Sequence, residues 1–180
     1  GLVVLSQAEL LVNPEMGGCE ISGGGAVTSW TGSQGSYSHT VNAALFNSFP
    51  PGDTCFAYLL GVSLVDTLTQ TITVRSAGTY DFSGLVGCWS GGGAPSCDYS
   101  LTINGNNFPL TGATAVPALG LVTYLPVTAT GITLPAGTYD LVFKLEDAPS
   151  GIAAMFATSL SLVFVGGGSG DPHMVGFQGQ

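Results

Sequence analysis

The 180-residue sequence predicts an antiparallel all-β sandwich, and three observations carry that prediction. Apolar and polar residues alternate with period two along most of the chain. The alternating runs are bounded by Gly, Pro and Asn. No segment carries a 3.6-residue apolar stripe of useful length.

Taken in order, the first element is an extended strand over residues 1–12. Leu2, Val4, Ser6, Ala8, Leu10 and Val12 form an apolar-or-small face, opposite Val3, Leu5, Gln7, Glu9 and Leu11. Cys55–Leu60 reads as a strand. Leu68, Gln70, Ile72 and Val74 then face inward, with Thr69, Thr71, Thr73 and Arg75 outward. The next inward sets are Tyr80, Phe82, Gly84, Val86 and Cys88, then Cys97, Tyr99, Leu101 and Ile103. They are followed by Tyr139, Leu141, Phe143 and Leu145, and finally by Phe156, Thr158, Leu160, Leu162 and Phe164. Asn104-Gly105 is a two-residue hairpin signal, because both residues tolerate positive φ. The phrases "SAGTYDFSGLV" and "PAGTYDLVFKL" repeat once, which marks equivalent strands of two sheets rather than a solenoid. Gly166–Gly170 is a flexible linker to the C-terminal tail. The expected organisation is therefore a strand over 1–12, a sandwich over 13–165 and a Gly-rich arm over 166–180.

Composition narrows the function. Charged residues are 7% of the chain, against about a quarter in ordinary soluble domains. With Lys plus Arg of 2 and a net charge of −9, a phosphate-neutralising surface is excluded, and nucleic acid with it. Anionic membrane surfaces are disfavoured likewise, and no apolar run approaches the roughly 20 residues of a membrane-spanning helix. Four Cys and abundant Ser and Thr suggest an oxidising, extracellular setting with two disulfides. Strand parity turns Cys88 and Cys97 toward the core at neighbouring strand ends, so they are expected to pair. Cys19 is then left with Cys55, one of three connectivities.

"LTQTITVRSAGTYDFSGLV", the cysteine-flanked loop, "CDYSLTING" and "LPAGTYDLVFKLE" together resemble the galactose-binding-like jelly rolls, a superfamily rich in carbohydrate-binding modules. The resemblance implies a two-sheet jelly roll. It also implies a structural calcium ion near the sheet ends, with Glu15 or Glu20 as one ligand. Thr158 and Ser159 stand where an Asp would complete that site, so the metal is left unassigned and no other cofactor is expected. The tail "GDPHMVGFQGQ" resembles the opening of a von Willebrand factor type D domain through Gly170, Asp171, Pro172, His173, Phe177 and Gly179.

Catalysis finds little support. His39 and His173 lie in no zinc motif, and no G-x-S-x-G elbow is present. Asp81, Asp98 and Asp140 have outward parity and read as solvated surface, which leaves Glu146-Asp147 as the best acidic pair. The chain is expected not to be an enzyme. Two functions remain. The first is a secreted structural subunit that polymerises head to tail with copies of itself, donating Leu2, Val4, Leu10 and Val12 to a neighbour's open sheet edge. The second is a carbohydrate-binding or adhesion module that holds glycans through Trp30, Tyr37 and Trp89.

Overall fold

The computed structural model describes residues 9–12, 25–26, 29–32, 37–40, 55–60, 66–90, 96–114, 116–119, 122–147 and 153–166. These form strands β1 (Gly25–Ala26), β2 (Thr31–Gly32), β3 (Tyr37–Thr40), β4 (Cys55–Leu60), β5 (Asp66–Val74) and β6 (Gly78–Ser90). They continue as β7 (Ser96–Ile103), β8 (Asn106–Phe108), β9 (Val116–Leu119), β10 (Leu125–Leu134), β11 (Gly137–Asp147) and β12 (Ala153–Gly166). Sheet A runs β1-β3-β4-β12-β6-β10, and sheet B runs β2-β5-β11-β7-β8. Strand β9 stitches the two together, pairing parallel with β6 and antiparallel with β7. The fold is a two-sheet antiparallel jelly roll.

Alternation explains the core. Along β6 the even-numbered residues from Gly78 to Cys88 are buried, and along β7 Cys97, Tyr99, Leu101 and Ile103 are buried. Phe82 of sheet A stacks on Phe143 of sheet B at 5.9 Å between ring centroids, and Phe143 stacks in turn on Tyr99 at 5.6 Å. The Tyr99 hydroxyl donates to the Gly87 carbonyl at 2.7 Å, tying sheet B to sheet A across the core. Burial pushes that phenol well above the ordinary tyrosine range. The β7–β8 hairpin turns at Asn104 (φ 51°) and Gly105 (φ 76°), the two positive φ angles that an Asn-Gly turn supplies. Cys88 and Cys97 are bonded, with their Cα atoms 6.0 Å apart. Cys19 lies outside the described residues, and of Cys55 only the place in β4 is described.

Two expectations are corrected. The first is the single inward face of the last strand. A bulge between Thr158 and Ser161, with Ser159 at φ 52°, inserts one residue opposite β6. Leu160 and Leu162 therefore face the core with Gly84 and Phe82. Phe156 and Thr158 pair with Gly87 and Leu85 and share the opposite face of sheet A.

The second correction concerns the end of the N-terminal segment, where the buried residue is Leu11 and Val12 is 61% exposed. Local hydrogen bonding sets this parity. Glu9 bridges Val163, and its carboxylate accepts the N–H groups of Leu11 (2.8 Å) and Leu162 (2.9 Å) and the Ser161 hydroxyl. On the other sheet, the buried Gln70 carboxamide accepts the Val12 N–H (2.8 Å) and donates to the carbonyls of Val12 (2.7 Å) and Ser29 (3.0 Å). Residues 9–12 thus strap β12 to β5 within their own sandwich. Leu2 and Val4 lie outside the described residues, as do residues 167–180 with the GDPH motif.

Candidate functional site

Strand β6 is regular, so its odd-numbered residues line the outer face of sheet A from Thr79 to Trp89. Register extends that face across the sheet. Trp89 pairs with Ala154 of β12, and Ala154 with Leu60 of β4. One row along, Gly87 pairs with Phe156, Phe156 with Tyr58 of β4, and Tyr58 with Tyr37 of β3. In the following row Leu85 pairs with Thr158, while His39 pairs with Phe56. Strands lie about 4.8 Å apart, so Tyr37 and the β6 end of its row are separated by ~14 Å.

This face is partly roofed. A Cβ on Gly87 would lie 2.5 Å from Val122 Cγ1 and 3.8 Å from the Tyr124 ring, so residues 122–124 cross directly over that glycine. Val122 (0%) and Phe156 (2%) are buried outside the main core, as a second apolar layer beneath the crossing segment. Trp89 and Tyr124 are half-buried, and the Tyr124 hydroxyl is enclosed within the structure. Trp89 follows the bonded Cys88, and Leu119 of β9 pairs beside it in parallel. The disulfide and β9 therefore hold this end of β6 from two sides. The partly exposed Trp89 ring can stack on the apolar face of a sugar.

Of the three aromatics expected to bind glycans, Trp89 is half-buried on the outer face of sheet A, Tyr37 is described only by its place in β3, paired with Tyr58, and Trp30 is separated from both. Trp30 is 5% exposed and packs in the sandwich core with Leu11 and Leu68. Sequence reasoning passed over Phe56, Tyr58, Tyr124 and Phe156.

The acidic residues fill structural roles. Asp81 accepts the Gly131 N–H at 2.9 Å, and Asp140 accepts the Thr71 hydroxyl at 2.8 Å. A groove of about 340 Å³ on sheet B is lined by Val12, Ser29, Thr31, Thr69, Gln70 and Thr71. Both N–H bonds of the Gln70 amide are already engaged there, which leaves no donor on it for a ligand. No group of three metal-ligating side chains occurs among the described residues. Thr158 is buried and Ser159 forms the bulge, so this stretch offers no acid to a calcium ion; Glu15 and Glu20 lie outside the described residues.

Known structures share this architecture. The carbohydrate-binding module TmCBM61, solved with β-1,4-galactotriose, superposes with a TM-score of 0.61 at 14% identity over 88% of this chain and 99% of its own. The CBM22-1 xylan-binding domain of Xyn10C from Paenibacillus barcinonensis gives 0.56 at 11% identity, over 88% and 96%. The Stig cyclase Fisc from Fischerella sp. TAU gives 0.62 at 11%, over 91% and 100%. What they share with this chain is the jelly roll. No protein-family model and no curated protein sequence matches it, so the type D resemblance of the tail gains no support.

Proposed function

We propose that this chain is a non-catalytic, extracellular carbohydrate-binding domain whose ligand lies on the outer face of sheet A beside Trp89. The observation that carries the reading is the partly exposed Trp89 at the held end of β6, on a fold that two carbohydrate-binding modules share. Trp89 offers the partly exposed ring, and Phe156, buried under residues 122–124, supports the sheet beneath it. The Cys88–Cys97 disulfide, which persists in oxidising compartments, supports the extracellular setting.

The polymerising-subunit reading has less behind it. Leu10 and Val12 are held by Leu162 and Gln70 of their own sandwich, so those two residues are already engaged without a neighbour.

Affinity electrophoresis in native gels cast with galactan, xylan or β-glucan tests the proposal. At least one polymer should retard the protein, and Trp89→Ala should weaken retardation at least tenfold while leaving the β-sheet circular dichroism intact. Equal retardation of the variant would move the site elsewhere. Free migration through every gel would end the carbohydrate reading.

A further inference from the structure

The distribution of positive charge bears on which glycans the sheet A face can hold. The whole sequence has two Lys-plus-Arg residues, and both are described in the structure. Arg75 is exposed in the turn before β6. Trp89 stands at the other end of that strand, eleven steps beyond Gly78, or ~36 Å at about 3.3 Å per residue. Lys144 lies on β11 in sheet B, paired with Ser100 and Thr67. Its neighbours Leu141 and Phe143 are buried on the inner face. Phe143 is inward, so Lys144 is on the outer face of sheet B. At a sheet spacing of ~10 Å, both sheets and the core separate it from the outer face of sheet A. Screening at physiological salt has a length of about 8 Å, so neither cation acts on a ligand beside Trp89.

The remaining charge is adverse. The chain carries a net charge of −9, with Asp81 on the same face ~26 Å from Trp89. The field of that charge repels a polyanion at low ionic strength, where screening extends to ~30 Å, and fades at physiological salt. A uronate or sulfate group docking there would lose hydration without meeting a cation, which is costly for any charge removed from water. A neutral sugar meets no such penalty, because its C–H faces stack on aromatic rings and its hydroxyls exchange water for protein hydrogen bonds. Resting on the carbohydrate reading above, we infer that this face selects uncharged polysaccharides and rejects polyuronates and sulfated glycans.

The test uses the full chain at about pH 8, above the ordinary histidine range. Whichever neutral polysaccharide retards the protein is carboxymethylated, which keeps the backbone and adds anionic groups. Binding of the two forms is then compared at low and high salt. The neutral form should bind at least tenfold more tightly at low salt, and the gap should narrow as salt rises. Equal or tighter binding of the carboxymethylated form would overturn the inference. Retardation by acidic polymers alone would overturn it while leaving the carbohydrate reading standing. Retardation by no polymer of either kind would overturn that reading, and this inference with it.

Discussion

The phrase Ala-Gly-Thr-Tyr-Asp occurs twice, at the opening of β6 (77–81) and at the opening of β11 (136–140), and the two copies share a turn but not a setting. In each, the tyrosine hydroxyl donates to the carbonyl four residues back, Tyr80 to Ser76 at 2.9 Å and Tyr139 to Pro135 at 3.0 Å. The difference lies in what flanks them. The start of β6 is paired on both sides, Gly78 with Leu134 of β10 and Thr79 with Gly166 of β12. The start of β11 pairs with β5 alone, because β7 joins only at Leu141. Tyr80 is accordingly buried, with Phe164 edge-on at 5.4 Å, while Tyr139 is half-buried. Local sequence writes the turn. Neighbouring strands decide how much energy depends on it.

The comparison can be broken most severely at the glycines. A Cβ on Gly78 would collide with the Phe164 ring and lie 2.8 Å from the Gly166 carbonyl oxygen, which is backbone and cannot swing away. Gly78→Ala should cost ~3 kcal/mol in urea unfolding. At Gly137 the nearest atom is the Tyr139 hydroxyl at 2.9 Å, the far end of a half-buried side chain that can shift by giving up its exposed bond to Pro135. Gly137→Ala should cost about 1 kcal/mol or less. Equal costs would mean that the flanking strands do not set the difference.

The tyrosines sharpen it. Tyr80→Phe removes a donor from a largely dry environment and should cost ~1 kcal/mol. Tyr139→Phe removes an exposed hydrogen bond that water replaces, at about half that cost. Alkaline unfolding gives a smaller, independent reading. Burial raises the Tyr80 phenol above its ordinary value of 10.0. The unfolded chain releases that proton first, so stability is full below pH 10.0 and falls as pH rises beyond it. Tyr99 acts in the same direction. Tyr80→Phe should therefore lose stability less steeply than the parent chain between about pH 9 and 11; a slope as steep as the parent's would show that Tyr80 carries none of the alkaline sensitivity.

The smallest contrast is at the aspartates. Asp81→Ala should cost ~0.5–1 kcal/mol, because Asp81 holds the β10 bulge through Gly131. Asp140→Ala loses an exposed bond to Thr71 and should fall below 0.5 kcal/mol, or about the limit of such measurements.

Much of the fold was legible in the sequence. Strands β5, β6 and β7 bury one face and wet the other, so period two exposed their parity, and that parity led to the Cys88–Cys97 bond. Legibility failed where one residue reset the count. Nothing in "FATSLSL" marks Ser159 as left-handed, since the residues that usually permit positive φ are Gly and Asn. Phe156 was therefore assigned to the wrong face. At the N-terminus, apolar character on both sides hid which residue would turn inward, and a distant partner, Gln70, settled it. Half of the candidate site was equally hidden. Strand β4 is almost continuously apolar, so its sequence does not say which aromatics look outward, and only pairing with β12 and β3 places Tyr58 beside Tyr37.

Strand β12, the last described along the chain, lies at the middle of sheet A, with β4 on one side and β6 on the other. Ala57 pairs with Ala157, one hundred positions later. During synthesis β4 and β6 are therefore made long before the strand that joins them, and their facing edges wait without a partner. Closing so wide a gap is slow relative to forming hairpins, because chain entropy is lost before any contact repays it. The order of strands along the chain thus places completion of sheet A after residues 153–166 have been made.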